Sequence, residues 1–241
     1  MNVVIQCAAQ KSPDAGTMRT AEGRLVRFVA HPPAEPVTDG DVYAHPDQVS
    51  DDGRTWRERV LGYNENPGAN PLGLIPAYAL YRHPAYHALA ERFGINGLWI
   101  LSAGWGLIPG SFLTPDYDVT FASSGDQMVR RRRKDVYHDW AMIDGDTQDP
   151  LLFLGGQAYL PHFHRLTAHY KGPRIAAYNS RVEPQIEGVK FVRFETPART
   201  NWHYRCARAL VDGAFDPVAM AASTSAPPKG QTSWPQSGMS T

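Results

Sequence analysis

Asp116, Tyr117 and Asp118 follow Pro115 directly, so two carboxylates leave a point where proline fixes the backbone. An aspartate held beside a backbone-lined pocket can activate a water molecule or stabilise a developing cation. The same residues can instead close an Asx-type turn, with the carboxylates accepting from backbone amides. Asp118 is the better placed of the two for chemistry, because Tyr117 and a strand-like stretch at 119–121 would pin it. Upstream, the apolar run at 98–101 stops at Ser102 and gives way to Ala103, Gly104, Trp105 and Gly106. A buried strand that empties into a glycine-rich turn brings backbone N–H groups and carboxylates to one place.

Other polar residues fall at the same kind of position. Gln6 and Cys7 end the first apolar run, with Lys11 close behind. A glutamine in a buried strand is costly unless paired, so Gln6 either reads a ligand's polar edge or satisfies loop backbone, with the first reading favoured. Lys11 is read as a phosphate partner, or as a solvated cation. Cys7 is either a nucleophile at a strand end or a small buried hydrophobe. Gly155, Gly156, Gln157, Ala158 and Tyr159 form a strand-to-helix junction. Helix starts of this kind bind anions, but a plain tight turn competes, and neither a Walker lysine nor a dinucleotide fingerprint is present. Asn179 follows another strand.

The elements that must position these groups alternate. Strands are predicted at 3–7, 25–30, 98–102, 151–154, 174–178 and 189–194. Helices are predicted at 76–93 with a break at Pro84 and a stop at Gly94, at 124–143, at 157–170 and at 202–210. The alternation argues for an α/β domain with a largely parallel sheet, whose ligands bind outside the carboxyl ends of the strands. Residues 1–220 are expected to form this single domain. Within it, 12–72 is expected to be a long irregular insertion that wraps the core or covers the site as a lid. Residues 221–241, rich in Ser, Thr, Pro, Gly and Gln, are expected to be a disordered tail.

Composition narrows the function classes. The 241 residues carry a formal net charge of +0, so no global field attracts nucleic acid and such a role must rest on a local patch. Arg130, Arg131, Arg132, Arg133 and Lys134 supply one, on the predicted helix at 124–143. The run is either a solvated helix face or a docking surface for phosphates. Asn201 and His203 open the last helix, where Asn201 suits an N-cap and the neighbouring aromatics suit stacking on a base. Two cysteines exclude a disulfide framework and a thiolate zinc site. His83 and His87 stand at i, i+4 but without a carboxylate-histidine motif and with Pro84 between them. His162 and His164 point to different helix sides, so no metal and no cofactor are expected. No apolar stretch reaches the roughly 20 residues of a membrane span. The first residues read as a strand, not a signal peptide, so a cytoplasmic location is the default.

Four segments together resemble a known family: Gln6-Cys7 with Lys11, residues 76–81 (Pro-Ala-Tyr-Ala-Leu-Tyr), residues 100–109 (Ile-Leu-Ser-Ala-Gly-Trp-Gly-Leu-Ile-Pro) and Pro115-Asp116-Tyr117-Asp118. They are similar to elements of the superfamily around the peroxide-stress protein YaaA and related bacterial and phage domains. The resemblance spans about 3–215, with Gly104-Trp105 where a lysine-aromatic pair is usual and Asp116 added before Tyr117. It implies a three-layer α/β/α fold similar to uracil-DNA glycosylases, and activity on modified bases in DNA, including defence against phage. Carried over, it gives Asp118, with Asp116 and Tyr117, the activation of water or the stabilisation of an oxocarbenium-like sugar. Ser102, Gly104 and Gly106 would contact a flipped base or its phosphates, Gln6 and Asn179 would read base edges, and Trp105 or Tyr159 would stack. A non-catalytic DNA-binding stress protein and an N-glycosidase of free nucleosides or nucleotides are the alternatives.

Overall fold

The computed structural model describes residues 1–34, 40–122, 124–132 and 134–223. The main sheet is built from apolar runs that are buried on both faces, as central parallel strands are: β1 (Asn2–Gln6) contributes Val3, Val4 and Ile5, none with exposed surface. Along the chain follow β2 (Val26–Val29), β3 (Val42–Ala44), helix α1 (Trp56–Glu65), β4 (Ile75–Pro76), α2 (Ala77–Leu80) and α3 (Ala85–Phe93). Then come β5 (Leu98–Ser102), β6 (Gly106–Pro109), β7 (Leu113–Thr114), β8 (Tyr117–Asp118), β9 (Trp140–Ala141) and β10 (Leu151–Leu154). Helix α4 (Leu160–Leu166), β11 (Arg174–Tyr178), β12 (Val189–Arg193), α5 (Trp202–Val211) and α6 (Pro217–Ser223) complete the order.

Seven strands make the main sheet, in the order β12-β11-β10-β1-β5-β6-β9. Its neighbours run parallel except for β5 and β6. The chain is therefore an α/β protein with a mostly parallel mixed sheet. In register, Val4 stands between Phe153 and Trp99. Helices α3 and α5 pack on each other and reach β1 and β10, whereas α4 reaches β6 and stacks Phe163 on Phe153 at 4.8 Å. From β1 the chain builds outward through β5, β6 and β9, then crosses to β10 on the other flank. The order of the sheet thus reverses between β1 and β10, the kind of crevice where open α/β sheets take ligands.

Two expectations are corrected. Residues 12–72 are not irregular beyond the strand foreseen at 25–30, which is β2: they also hold β3 and α1. Helix α1 starts in a capping box, with Thr55 Oγ1 accepting from Glu58 N at 3.1 Å and Glu58 Oε2 accepting from Thr55 N at 2.7 Å. Phe28 and Trp56 from this stretch belong to the one apolar core. Residues 124–143 form no helix among the described residues. The backbone of Arg131 donates to Thr120 O at 2.9 Å instead of to a preceding turn. The Arg131 side chain is buried, donating to Ala103 O at 3.0 Å and, through both terminal nitrogens, to Asp139 at 2.8 and 2.6 Å. A tertiary ion pair of this kind overrides local helix propensity.

Smaller differences follow the same logic. The strand-like stretch at 119–121 lies beyond β8, which pairs with β2 through Phe28–Tyr117 and Val29–Asp118. The helix foreseen at 157–170 is a single 3-10 turn followed by α4. The tail foreseen from 221 begins inside α6, and the rest of it lies outside the described residues.

Candidate functional site

Four strand ends that carry unusual residues are neighbours in the sheet: Tyr178-Asn179 at β11, Gly155-Gly156 at β10, Gln6-Cys7 at β1 and Ser102 at β5. The two at the reversal of strand order are joined directly. Gln6 Oε1 accepts from Gly156 N at 2.7 Å. Gly155 permits this approach, since a Cβ there would lie 2.3 Å from Phe153 Cζ and 3.1 Å from Gln6 Oε1. Because the backbone N–H must meet the carbonyl end of the side-chain amide, the two donors of Gln6 Nε2 point elsewhere. They have no partner among the described residues.

Behind this edge lies a buried cluster of hydroxyls and one thiol. Ser102 Oγ donates to Tyr117 OH at 2.8 Å, and Tyr117 OH shares a 2.7 Å hydrogen bond with Tyr81 OH. Ser102 Oγ also accepts from Gly104 N and Trp105 N at 3.3 and 3.1 Å. Cys7 Sγ lies 3.3 Å from Tyr159 OH and accepts from Ala103 N at 3.4 Å. Tyr86 OH donates to Gln6 O at 2.8 Å. Burial drives the hydroxyls of Tyr81, Tyr86, Tyr117 and Tyr159 well above the usual phenol range. They are neutral hydrogen-bonding groups at neutral pH, not phenolates.

The glycine-rich turn is held from both sides. Trp105 has no exposed surface. Its ring meets Phe28 edge-on at 5.1 Å and stacks with Trp140 at 5.9 Å. Arg57, on α1, donates to Trp105 O and Gly104 O, each at 2.9 Å, and is ion-paired with Asp47. Gly106 takes φ +96°, and a Cβ there would lie 2.4 Å from Trp140 O, so only glycine fits. Ser102, Ala103, Gly104, Trp105 and Gly106 thus lie behind the surface and shape the turn. The sequence analysis missed Arg57; the capping box around Thr55 marks its helix, but nothing marks the arginine within it.

Residues 115–121 form a strap in front of the turn. Successive side chains alternate, as in any extended segment: Tyr117 points into the core, while Asp116 and Asp118 are exposed. The Tyr117 hydroxyl ties the strap to the end of β5. Phe121 ties it to the other flank, meeting Tyr159 edge-on at 5.0 Å and stacking on His162 at 3.8 Å. The strap therefore crosses the carboxyl edge between β5 and the loop after β10. Asp116 Oδ1 accepts from Tyr117 N at 2.8 Å, which is the turn-closing role. The Asp118 carboxylate, by contrast, has no hydrogen-bond or ion-pair partner among the described residues. Asp116, Tyr117 and Asp118 wall a cleft of ≈ 310 Å³ that Arg27, Asp41 and Tyr43 also line. The half-buried Lys11 places Nζ 4.5 Å from the centre of the Tyr117 ring.

The basic run divides. Arg131 is the buried ion pair described above. Arg130 pairs its backbone with Thr120 and offers its carbonyl to His31 at 3.1 Å, and Arg132 N donates to Asp135 Oδ2 at 2.6 Å. Lys134 is exposed, and Arg133 lies outside the described residues. At α5, Asn201 takes φ +56° and forms no side-chain cap. His203 is 4% exposed, and its Nε2 has no partner among the described residues. Burial, then neighbouring His83, push its pKa down to about 4.

A second cleft of ≈ 570 Å³ opens at the ends of β10 and β11, lined by Gly156, Gln157, Asn179, Ser180, Arg181, Arg199 and Trp202. Asn179 Nδ2 donates to Ala198 O at 2.7 Å, tying the loop that carries Arg199 to the end of β11. Arg181 and Arg199 were not foreseen from sequence, since each is a lone arginine in an irregular stretch. Among the described residues no group of three or more His, Cys, Asp or Glu side chains is arranged to hold a metal ion, and no helix is long and apolar enough to cross a membrane. In comparisons with known proteins, no family model, no curated protein and no solved structure matches this chain.

Proposed function

We propose that this protein is a DNA glycosylase, hydrolysing the N-glycosidic bond of a modified base, such as the bulky bases of modified phage DNA. The observation that carries the reading is Asp118: an exposed carboxylate with no partner among the described residues, on a strap pinned at both ends across the carboxyl edge. Gln6 supports it, offering two amide donors to a base edge at the reversal of strand order. The resemblance to the YaaA and uracil-DNA-glycosylase-like proteins supports both the substrate class and a three-layer α/β/α arrangement.

The chemistry asked of the site is modest. The bond between the sugar C1′ and the base nitrogen breaks, with its electron pair leaving on the base, which takes up a proton. Water adds to C1′ and gives up its proton to a carboxylate. Asp118 is suited to that task and to facing a cationic sugar, whereas Asp116 has an oxygen already committed to the strap's backbone. The target nucleotide must leave the duplex to reach such a crevice. Incubating the protein with DNA carrying bulky modified bases and scoring alkali-labile abasic sites tests the proposal. Abasic sites are the expected result. Release from free nucleosides but not from DNA would make it a nucleosidase, and binding without release would make it a DNA-binding protein.

A further inference from the structure

We propose that Arg181 and Arg199 form a phosphate clamp, in which the cleft after β10 and β11 seats a phosphodiester of the DNA strand whose target base lies at Gln6. The inference rests on the DNA reading for its ligand but on separate residues for its chemistry. Neither guanidinium has a carboxylate partner among the described residues, although most arginines around the strap are paired. A neighbouring cleft of ≈ 460 Å³ is also lined by Asn179, Arg181 and Arg199, so these residues are a wall shared by two openings. The carboxylate that lines that second cleft, Glu195, lies 3.5 Å from Arg193. Two unneutralised forks on a shared wall call for an anion that bridges them, and phosphate accepts such forks in pairs.

The loops that carry the arginines are fixed before any ligand arrives. Asn179 Nδ2 holds the Arg199 loop through Ala198 O, and Ser180 Oγ donates to Val182 O at 2.5 Å, closing the turn around Arg181. Asn179 thus spends one amide donor on the protein and leaves Oδ1 as an acceptor. Gly156 links this cleft to the base-reading group: it lines the cleft, and its N–H is the one held by Gln6. A strand with its base at Gln6 therefore has its own phosphate within reach of the arginines. Trp202 lies in the same cleft and supplies an apolar wall beside the sugar.

Binding of a short fluorescein-labelled DNA duplex, followed by anisotropy over a range of salt concentrations, tests the clamp. Arg181→Ala and Arg199→Ala are each expected to weaken binding about 10- to 100-fold, as loss of a charge-assisted hydrogen bond does. Each should also lower the slope of log K against log salt by about 1. Both side chains are exposed, so the thermal midpoint should not move. Arg→Lys variants should keep the slope while losing part of the affinity. If the wild type binds DNA and the double alanine variant binds equally well, the clamp is wrong and the DNA reading stands. If the wild type ignores DNA but binds a nucleoside monophosphate that the double variant does not, the phosphate site holds and the DNA reading falls. If neither is bound, the clamp is overturned.

Discussion

At the scale of single residues, Asp116 and Asp118 differ in what they have left to give. Asp116 closes the start of the strap by accepting from Tyr117 N, and Asp118 accepts from nothing among the described residues. Asp116→Asn keeps an oxygen for that amide and is expected to reduce base release by less than about tenfold, well below the range of a lost general base. Gln6 carries a different load. Removing its side chain orphans Gly156 N and removes the donors proposed to read a base edge. Gln6→Ala should therefore raise KM for the modified DNA more than it lowers kcat, which steady-state kinetics on an oligonucleotide substrate would separate.

At the scale of elements, strands β1, β2, β5, β10, β11 and β12 were legible, whereas the short strands β3, β4 and β6 to β9 and one long loop were not. Val3, Val4 and Ile5, or residues 151–154, are apolar at every position because central parallel strands are covered on both faces. The end of each such run marked a position at the carboxyl edge of the sheet, although Cys7 and Ser102 are buried there. The stretch 124–143 misled because helical pattern competes there with contacts distant in sequence: Arg131 reaches Asp139 and Ala103, and Thr120 takes its backbone. Helix α1 was written in Thr55 and Glu58, yet the proline, glycine and aspartate around it obscured the signal. Of the site, the strand ends and the strap residues were legible. Arg57, Arg181 and Arg199 were not, since a lone arginine gains its role only from the tertiary partners it meets. Arg57 is the sharpest case. Arg57→Ala leaves Asp47 and two turn carbonyls without their partner, and breaking a buried ion pair costs about 3–5 kcal/mol. Urea unfolding should show that loss, and Arg57→Lys should recover only part of it, because one ammonium cannot span both carbonyls and the carboxylate.

At the scale of the whole molecule, a half-buried and a buried imidazole link stability to pH. Burial pushes both His162 and His203 from 6.5 down to about 4. The unfolded chain takes up protons on them below about pH 6.5, and the folded chain does so only near 4. Stability contributed by the neutral forms is thus complete above the unfolded value and is lost as pH falls through this window. For His203 the loss is on the order of 3 kcal/mol. Unfolding midpoints in urea should fall between neutral and mildly acidic pH, and His203→Leu should flatten part of that fall. The proposed activity makes a separate demand on the molecule, since it asks one strap to present Asp118 across strands that come from distant parts of the chain. The most direct measurement is single-turnover release of a modified base from DNA by the wild type and by Asp118→Asn, with DNA affinity measured in parallel. The account predicts affinity nearly unchanged and release slowed about 10²- to 10⁴-fold. Release at the wild-type rate by Asp118→Asn would contradict it.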